Sequence, residues 1–188
     1  NPEGILDNDF GSNGMATVPI SGIENIATAV AIQTDGRIII GGSTRKAQNS
    51  ASDFVLVRYN SNGSLDNSFG DQGKVIISEA VGGITAGRFA IQPDGRIVVI
   101  GKHTRLDPNE QKNPFLAPAE RTISDLVIIR LNIDGSLDKD FGKYGKAVTP
   151  IDKMASLNSS TIAIQPDGKI ITGGSASGKK QKFGNFAM

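Results

Sequence analysis

Apolar residues along this chain fall in short runs separated by Asp-Gly and Asn-Gly corners, and the pattern recurs. The segment Ala31-Ile32-Gln33-Thr34-Asp35-Gly36-Arg37-Ile38-Ile39-Ile40 returns at Ala90–Val99, with Pro93-Asp94-Gly95-Arg96, and at Ala163–Thr172, with Pro166-Asp167-Gly168-Lys169. Each copy sets two apolar runs around a Pro/Thr-Asp-Gly corner. Pro presets φ at the second turn position, Asp suits the third, and Gly accepts a positive φ at the exit. The corner is a type I turn with a glycine bulge, so each copy predicts a β-hairpin. The runs beyond the corner, Ile38-Ile39-Ile40, Ile97-Val98-Val99-Ile100 and Ile170-Ile171, do not alternate. A strand with one wet face alternates apolar and polar residues, whereas a strand covered on both faces does not. These hairpins are therefore expected between two other layers.

A second motif alternates with the first. It runs from Asp53-Phe54-Val55-Leu56-Val57-Arg58-Tyr59 through Gly63-Ser64-Leu65-Asp66-Asn67-Ser68-Phe69-Gly70 to Gly73-Lys74-Val75, and returns from Asp125 to Ala147. Residues 4–14 hold its back half, and residues 185–188 fall in its front half. Asp35 to Asp94 is 59 residues and Asp94 to Asp167 is 73. A recurring period of this size marks a repeat architecture. We read one repeat domain, 1–188, with units of approximately 1–59, 60–131 and 132–188. Each unit yields four strands, placed at about 74–79, 85–92, 95–101 and 125–131 in the middle unit, twelve in all. Successive strands run antiparallel, so the Asp-Gly corners and the Leu-Asp-x-x-Phe-Gly loops share one rim. The opposite rim carries the variable connections, about 43–52, 102–124 and 175–184, and about 20–26, 79–84 and 150–159. The middle unit's extra 13 residues lie there, between His103 and Ser124. Length variation on one rim of a regular scaffold is how repeat proteins present a binding face.

The two motifs together resemble the delta-60 repeat, over nearly the whole chain apart from the 102–124 insertion and the variable connections. Departures are Thr34 for Pro, Ile5 for Ser, Leu131 for Tyr, and the insertion. The resemblance implies a bacterial tandem repeat that forms a β-propeller module in large secreted or cell-surface proteins. It implies no transferable active site. The expected fold is all-β, a propeller-like array of three four-stranded antiparallel blades; the alternative is a closed three-unit β-trefoil or β-prism. Propellers usually have about four to eight blades. Three blades leave apolar faces open, so a homodimer or further repeats of a longer parent chain are expected.

Charge and composition narrow the functions. With 20 Lys and Arg against 19 Asp and Glu the net charge is +1, which gives no electrostatic case for nucleic acid or a membrane surface. Cysteine is absent, so disulfides and thiolate metal sites are excluded. No apolar run approaches the roughly 20 residues that span a bilayer. The chain opens on Asn1 rather than Met, which reads as a trimmed or processed start.

Candidate chemistry is sparse. His103, the only histidine, opens the insertion; one His without Cys or a second His does not complete a metal set. Asp7, Asp66 and Asp138, with Asp9 and Asp140, could hold calcium. The plainer reading is an Asx turn in which Asp66 and Asp138 cap backbone N–H groups while Leu65 and Phe69 plug the sheet edge, Phe141 being the turn residue of the next copy. Arg37, Arg96 and Lys169 could ring a channel, or stand solvated at a strand start. Arg58 and Arg130 could pair with the repeat's own aspartates, Asp53 or Asp66 in the first copy. Asp35, Gly36, Asp94, Gly95, Asp167 and Gly168 are turn residues. For binding, the insertion offers His103, Arg105, Phe115 and Leu116, and the last variable loop offers Lys179 and Lys180. No nucleophile–base pair or phosphate loop is present, and no cofactor or metal is implied. The expected function is non-catalytic binding of a protein or glycan, or display, through the variable rim. The alternatives are a propeller hydrolase or lyase with an axial site, and a purely structural spacer in a longer array.

Overall fold

A computed structural model describes residues 2–48, 50, 52–78, 84–108, 115, 122–150, 154–178 and 185–187; for 84–86, 154–160, 176–178 and 185–187 it describes backbone alone. Each Asp-Gly corner folds the chain back on itself. The Gln33 N–H donates to Arg37 O at 2.8 Å and the Gly36 N–H to Gln33 O at 2.9 Å, and the same pair of bonds closes residues 92–96 and 165–169. Gly36, Gly95 and Gly168 have φ of 83°, 84° and 83°. The aspartate at each corner accepts the N–H two residues on, Arg37, Arg96 or Lys169.

Eleven strands follow among the described residues: β1 (Glu24–Ile32), β2 (Ile38–Arg45), β3 (Ser52–Tyr59), β4 (Lys74–Ile77), β5 (Ile84–Ile91), β6 (Ile97–Leu106), β7 (Thr122–Leu131), β8 (Lys146–Thr149), β9 (Met154–Ile164), β10 (Ile170–Gly178) and β11 (Asn185–Ala187). They form three antiparallel sheets, ordered β1-β2-β3-β4, β5-β6-β7-β8 and β9-β10-β11, and no helix occurs among the described residues. Among the described residues the third sheet has three strands, not four.

Three further details differ from the sequence reading. The strand read as opening each repeat, near 74–79, instead closes the preceding sheet: Val55 pairs with Ile76 and Leu56 with Val75. The Leu-Asp loop, residues 60–73, folds back on the end of β3, where the Arg58 N–H donates to Gly73 O and the Asp66 N–H to Arg58 O, and so makes β3 and β4 neighbours, whereas the connection after β4 crosses to the next sheet. Second, the 102–124 connection is not all loop. β6 runs to Leu106 and β7 starts at Thr122, with His103 opposite Asp125 and Arg105 opposite Ile123. Lys102-His103-Thr104-Arg105-Leu106 keeps the ladder going beyond the apolar core. Likewise β1 and β9 begin inside the segments read as variable connections, at Glu24 and Met154. Third, residues 16–20 are not a strand. They lie over the first sheet, where Ala16, Val18 and Ile20 pack against Val55, Val57 and Tyr59.

The sheets stack face to face in chain order. The first strands of successive sheets lie together, β1 on β5 and β5 on β9. Between the first two sheets Ile39, Phe54, Leu56 and Phe69 meet Phe89, Ile97, Val99, Val127 and Ile129. Phe89 sits over Gly41 so closely that a Cβ there would stand 2.6 Å from its ring. Burial of the equivalent residues tracks neighbour coverage. Val98, in the middle sheet, is fully buried and so is Ile39, while Ile171 at the same repeat position in the third sheet is 43% exposed. At about 1.5–3 kcal/mol per buried large apolar side chain, this stacking is the main favourable term. The layered arrangement, with separate cores on the two faces of the first sheet, is not that of a trefoil or prism built round one centre.

A second turn recurs in the Leu-Asp loops. Gln72 and Tyr144 have φ of 48° and 53°, each followed by a glycine at 83° or 85°. Two consecutive positive φ values define a type I′ hairpin turn, for which Asn-Gly is the preferred pair. Tyr144 is 73% exposed, so it pays the backbone strain without packing in return. Replacing Tyr144 by Asn is expected to stabilise by up to about 1 kcal/mol; thermal or urea melts measure it, and no gain would mean the tyrosine ring contributes more than its exposure implies. Gly95→Val is expected to cost more than about 1 kcal/mol, because a β-branched residue resists positive φ. A neutral melt would contradict the turn assignment.

Candidate functional site

The two rims are built differently. On the corner rim, Asp66 accepts from Arg58 Nε at 2.7 Å and lies 3.1 Å from Arg37 Nε. The middle sheet repeats this, with Asp138 at 2.7 Å from Arg130 and 3.2 Å from Arg96. Arg37 and Arg96 also pair with their own corner aspartates, Asp35 and Asp94, and Lys169 with Asp167. Arg58 and Arg130 lie over the rings of Phe69 and Phe141, 4.5 and 4.6 Å from their centroids. The cation–aspartate pairs thus tie corner to Leu-Asp loop within a sheet. The structure selects Asp66 rather than Asp53 as the partner of Arg58; Asp53 pairs with Lys46 at 3.0 Å.

These groups are electrostatically satisfied. Burial pushes the Asp66 carboxyl up, but hydrogen bonds from Ser68 and the Arg58 guanidinium outweigh it, and its pKa lies below the ordinary carboxylate value. Asp138 is lowered in the same way, burial opposing the bond from Arg130. No three His or acidic side chains converge as a metal site among the described residues. Each arginine here already faces a carboxylate.

Bonds between sheets were not legible from the sequence. Arg58 Nη1 donates to Ile133 O at 2.5 Å and the Gly70 N–H donates to Asp134 O at 2.8 Å, joining the Leu-Asp loop after β3 to the one after β7. Gln92 Nε2 reaches Gly168 O at 3.2 Å, corner to corner. Arg88 of β5 donates to Thr28 O at 2.7 Å, and the Thr28 hydroxyl donates to Gly87 O at 3.0 Å. The strand irregularities at Ala27/Ala29 and Thr85/Arg88 lie at this contact.

On the opposite rim, the β6–β7 extension carries His103, Arg105 and Asp125. Asp125 is buried and accepts from Arg105 Nε at 2.5 Å and Nη2 at 3.2 Å. That bond raises the Arg105 pKa above its ordinary value. His103 stands half-buried directly opposite Asp125. The Lys46–Asp53 pair occupies the same place in the first sheet, so a base–acid pair at this position belongs to the repeat, and the histidine is the local addition. Phe115 is 92% exposed. Leu116, Lys179 and Lys180 lie outside the described residues.

With this architecture in view, one family model matches the chain. It is described as a domain of unknown function (DUF5122) beta-propeller and matches residues 33–69 and 165–181, less than a third of the 188 residues. The first match spans a corner through a Leu-Asp loop, and the second starts at the third corner. Together with the all-β stack of sheets, it supports a β-propeller repeat family. No curated protein and no solved structure matches the chain.

Asp66→Asn is expected to destabilise by about 3 kcal/mol, because it leaves Arg58, only 3% exposed, with no counter-charge. Asp138→Asn should cost less, since Arg130 is 23% exposed. The lowered Asp66 pKa also fixes a pH dependence. A carboxyl lowered by folding contributes its stability above the unfolded value and loses it as pH falls through the folded one. Wild-type stability should therefore fall below about pH 4, and Asp66→Asn should flatten that slope. Denaturant melts across the acid range measure both.

Proposed function

We propose that the chain is a non-catalytic β-propeller repeat module for binding or display, carried by an exported bacterial protein, with its contacts on the variable rim. The observation that carries this is the asymmetry of the rims. One is locked by recurring Arg–Asp pairs and loop-to-loop bonds. The other varies in length and, in the middle sheet, projects an extended hairpin bearing His103 and Arg105. Rigid scaffolds carry recognition on such loops. The ligand class is a protein or glycan. Export follows from the resemblance of the two motifs to the delta-60 repeat. A spacer role in a longer array is the second reading, favoured by the exposed apolar residues Val30, Ile32 and Ile171.

A glycan array tests the binding reading, using the chain and a variant in which residues 107–121 are replaced by a short Gly-Ser link. Retained spots for the chain, lost in the variant at unchanged melting temperature, are expected. Binding unaffected by the replacement would move the site off this loop, and no binding to the array or to a panel of surface proteins would favour the spacer.

A further inference from the structure

The same loop-to-loop contact is made twice inside this chain. Residues 2–14, 61–73 and 133–145 are three copies of the Leu-Asp loop. At the first junction the Gly11 N–H donates to Asn62 O at 2.8 Å, and a Cβ on Gly63 would strike Gly11 and Phe10. At the second, the Gly70 N–H donates to Asp134 O at 2.8 Å, and a Cβ on Gly135 would strike Phe69 and Val75. Arg58 adds its bond to Ile133 O there.

Each half of this contact is also open once. On the third loop, Gly142 and Arg130 occupy the places of Gly70 and Arg58, and no carbonyl faces the Gly142 N–H or Arg130 Nη1 among the described residues. On the first loop, Pro2, Glu3 and Gly4 occupy the places of Ile133, Asp134 and Gly135, and nothing lies within 4 Å of a Cβ built on Gly4.

The sheet faces are open in the same sense. Phe89 and Ile91 of β5 pack toward the first sheet, but their counterparts in β1, Val30 and Ile32, are 66% and 71% exposed. Those two residues belong to the face that also carries an apolar groove lined by Ile20, Ile26, Ile40, Val55 and Val57. The surface that receives Phe89 in the first sheet is Ile39 and Gly41; its counterpart in the third sheet is Ile171, 43% exposed, and Gly173.

We infer that a second copy of this chain docks head to tail, its residues 2–20 completing the third sheet. Residues 2–14 of the partner copy supply the loop that the third sheet lacks among its described residues, taking the Gly142 and Arg130 donors on the carbonyls of Glu3 and Pro2. The segment 15–18 then lies, as a fourth strand, along the edge of β11 that no strand pairs among the described residues. The register that pairs Phe54 with Ile77 sets Phe186 opposite Val18. The third sheet in turn covers Val30 and Ile32 of the partner copy. The contact is heterologous, joining one end to the other, and closes if the rotation permits. Two copies give six sheets, within the usual range of about four to eight for a closed propeller. The occupant is argued from these matched open positions: each end presents what the other end's internal copies already bind. The inference stands apart from what the variable rim binds.

Light scattering after size exclusion on this 188-residue chain tests it, with twice the 19.7 kDa chain mass expected. Val30→Asp with Ile32→Asp should halve that mass at unchanged far-UV circular dichroism, because both residues are already exposed within one chain. The absence of native cysteine permits a direct probe of the contact. Val30→Cys with Gly173→Cys should give a covalent two-chain band on a non-reducing gel. A monomeric wild type, or a dimer that the Val30/Ile32 substitutions leave intact, overturns the docking. A ladder of larger species overturns the two-copy ring.

Discussion

A β-sheet with apolar side chains on both faces cannot stand alone in water, and this constraint governs the whole molecule. Ile97-Val98-Val99-Ile100 is viable because the first sheet covers one side of it and the third covers the other; all four residues are at most 1% exposed. The equivalent run in the first sheet is covered by its neighbour on one side and by residues 16–20 on the other. That segment lacks strand pairing, yet it keeps Ala16, Val18 and Ile20 at alternate positions, so it supplies the apolar layer without the ladder. In the third sheet the run reads Ile170-Ile171-Thr172 with glycines beyond it, and Ile171 lies open. One sequence pattern thus gives graded burial, set by what lies alongside.

Stacking fixes the spacing between sheets but leaves them free to slide, and directional bonds remove that freedom. The Arg58–Asp66 pair is costly to bury alone, and its value lies in geometry: the guanidinium stacks on Phe69, meets Asp66, and still has a donor for Ile133 in the next sheet. Such buried pairs are weak evidence for stability and better evidence for a fixed arrangement. The Arg–Asp pairs and the loop-to-loop bonds gather on the corner rim, which leaves the opposite rim room to vary. There the β6–β7 ladder lengthens and the connection grows with no loss to the core.

Local chemistry was legible in the sequence and cross-unit chemistry was not. Thr34-Asp35-Gly36 specifies its corner within three residues, and the unalternating runs state that both faces are covered. The hairpins follow from these alone. Arg58 bonds Ile133 across 75 residues, and nothing near either residue announces it; only their recurrence as Arg130 and Ser61 at equivalent places hints at a role between units. The extension of β6 past Gly101 was hidden because polar residues continue the strand on backbone bonds, which periodicity of apolar residues does not register. Gln72 and Tyr144 concealed their turn for the opposite reason, since neither residue type favours positive φ. For the rim chemistry, Arg105 could be picked out from the sequence, but its partner Asp125 could not, as it reads simply as the start of a strand.

The repeat also explains why chemistry is thin. A side chain that recurs in every unit must first satisfy the scaffold, and the recurring Asp and Arg residues do so by neutralising one another. Groups left for recognition are then those that break the repeat. His103 replaces the Thr44 of the first sheet, and Arg105 the Lys46. Thr44 is buried and donates to Ser21 O, whereas His103 brings an imidazole to the same rim beside a carboxylate held by Arg105. Departure from the repeat at the variable rim, rather than conformity to it, marks where this chain differs from a plain stack of sheets.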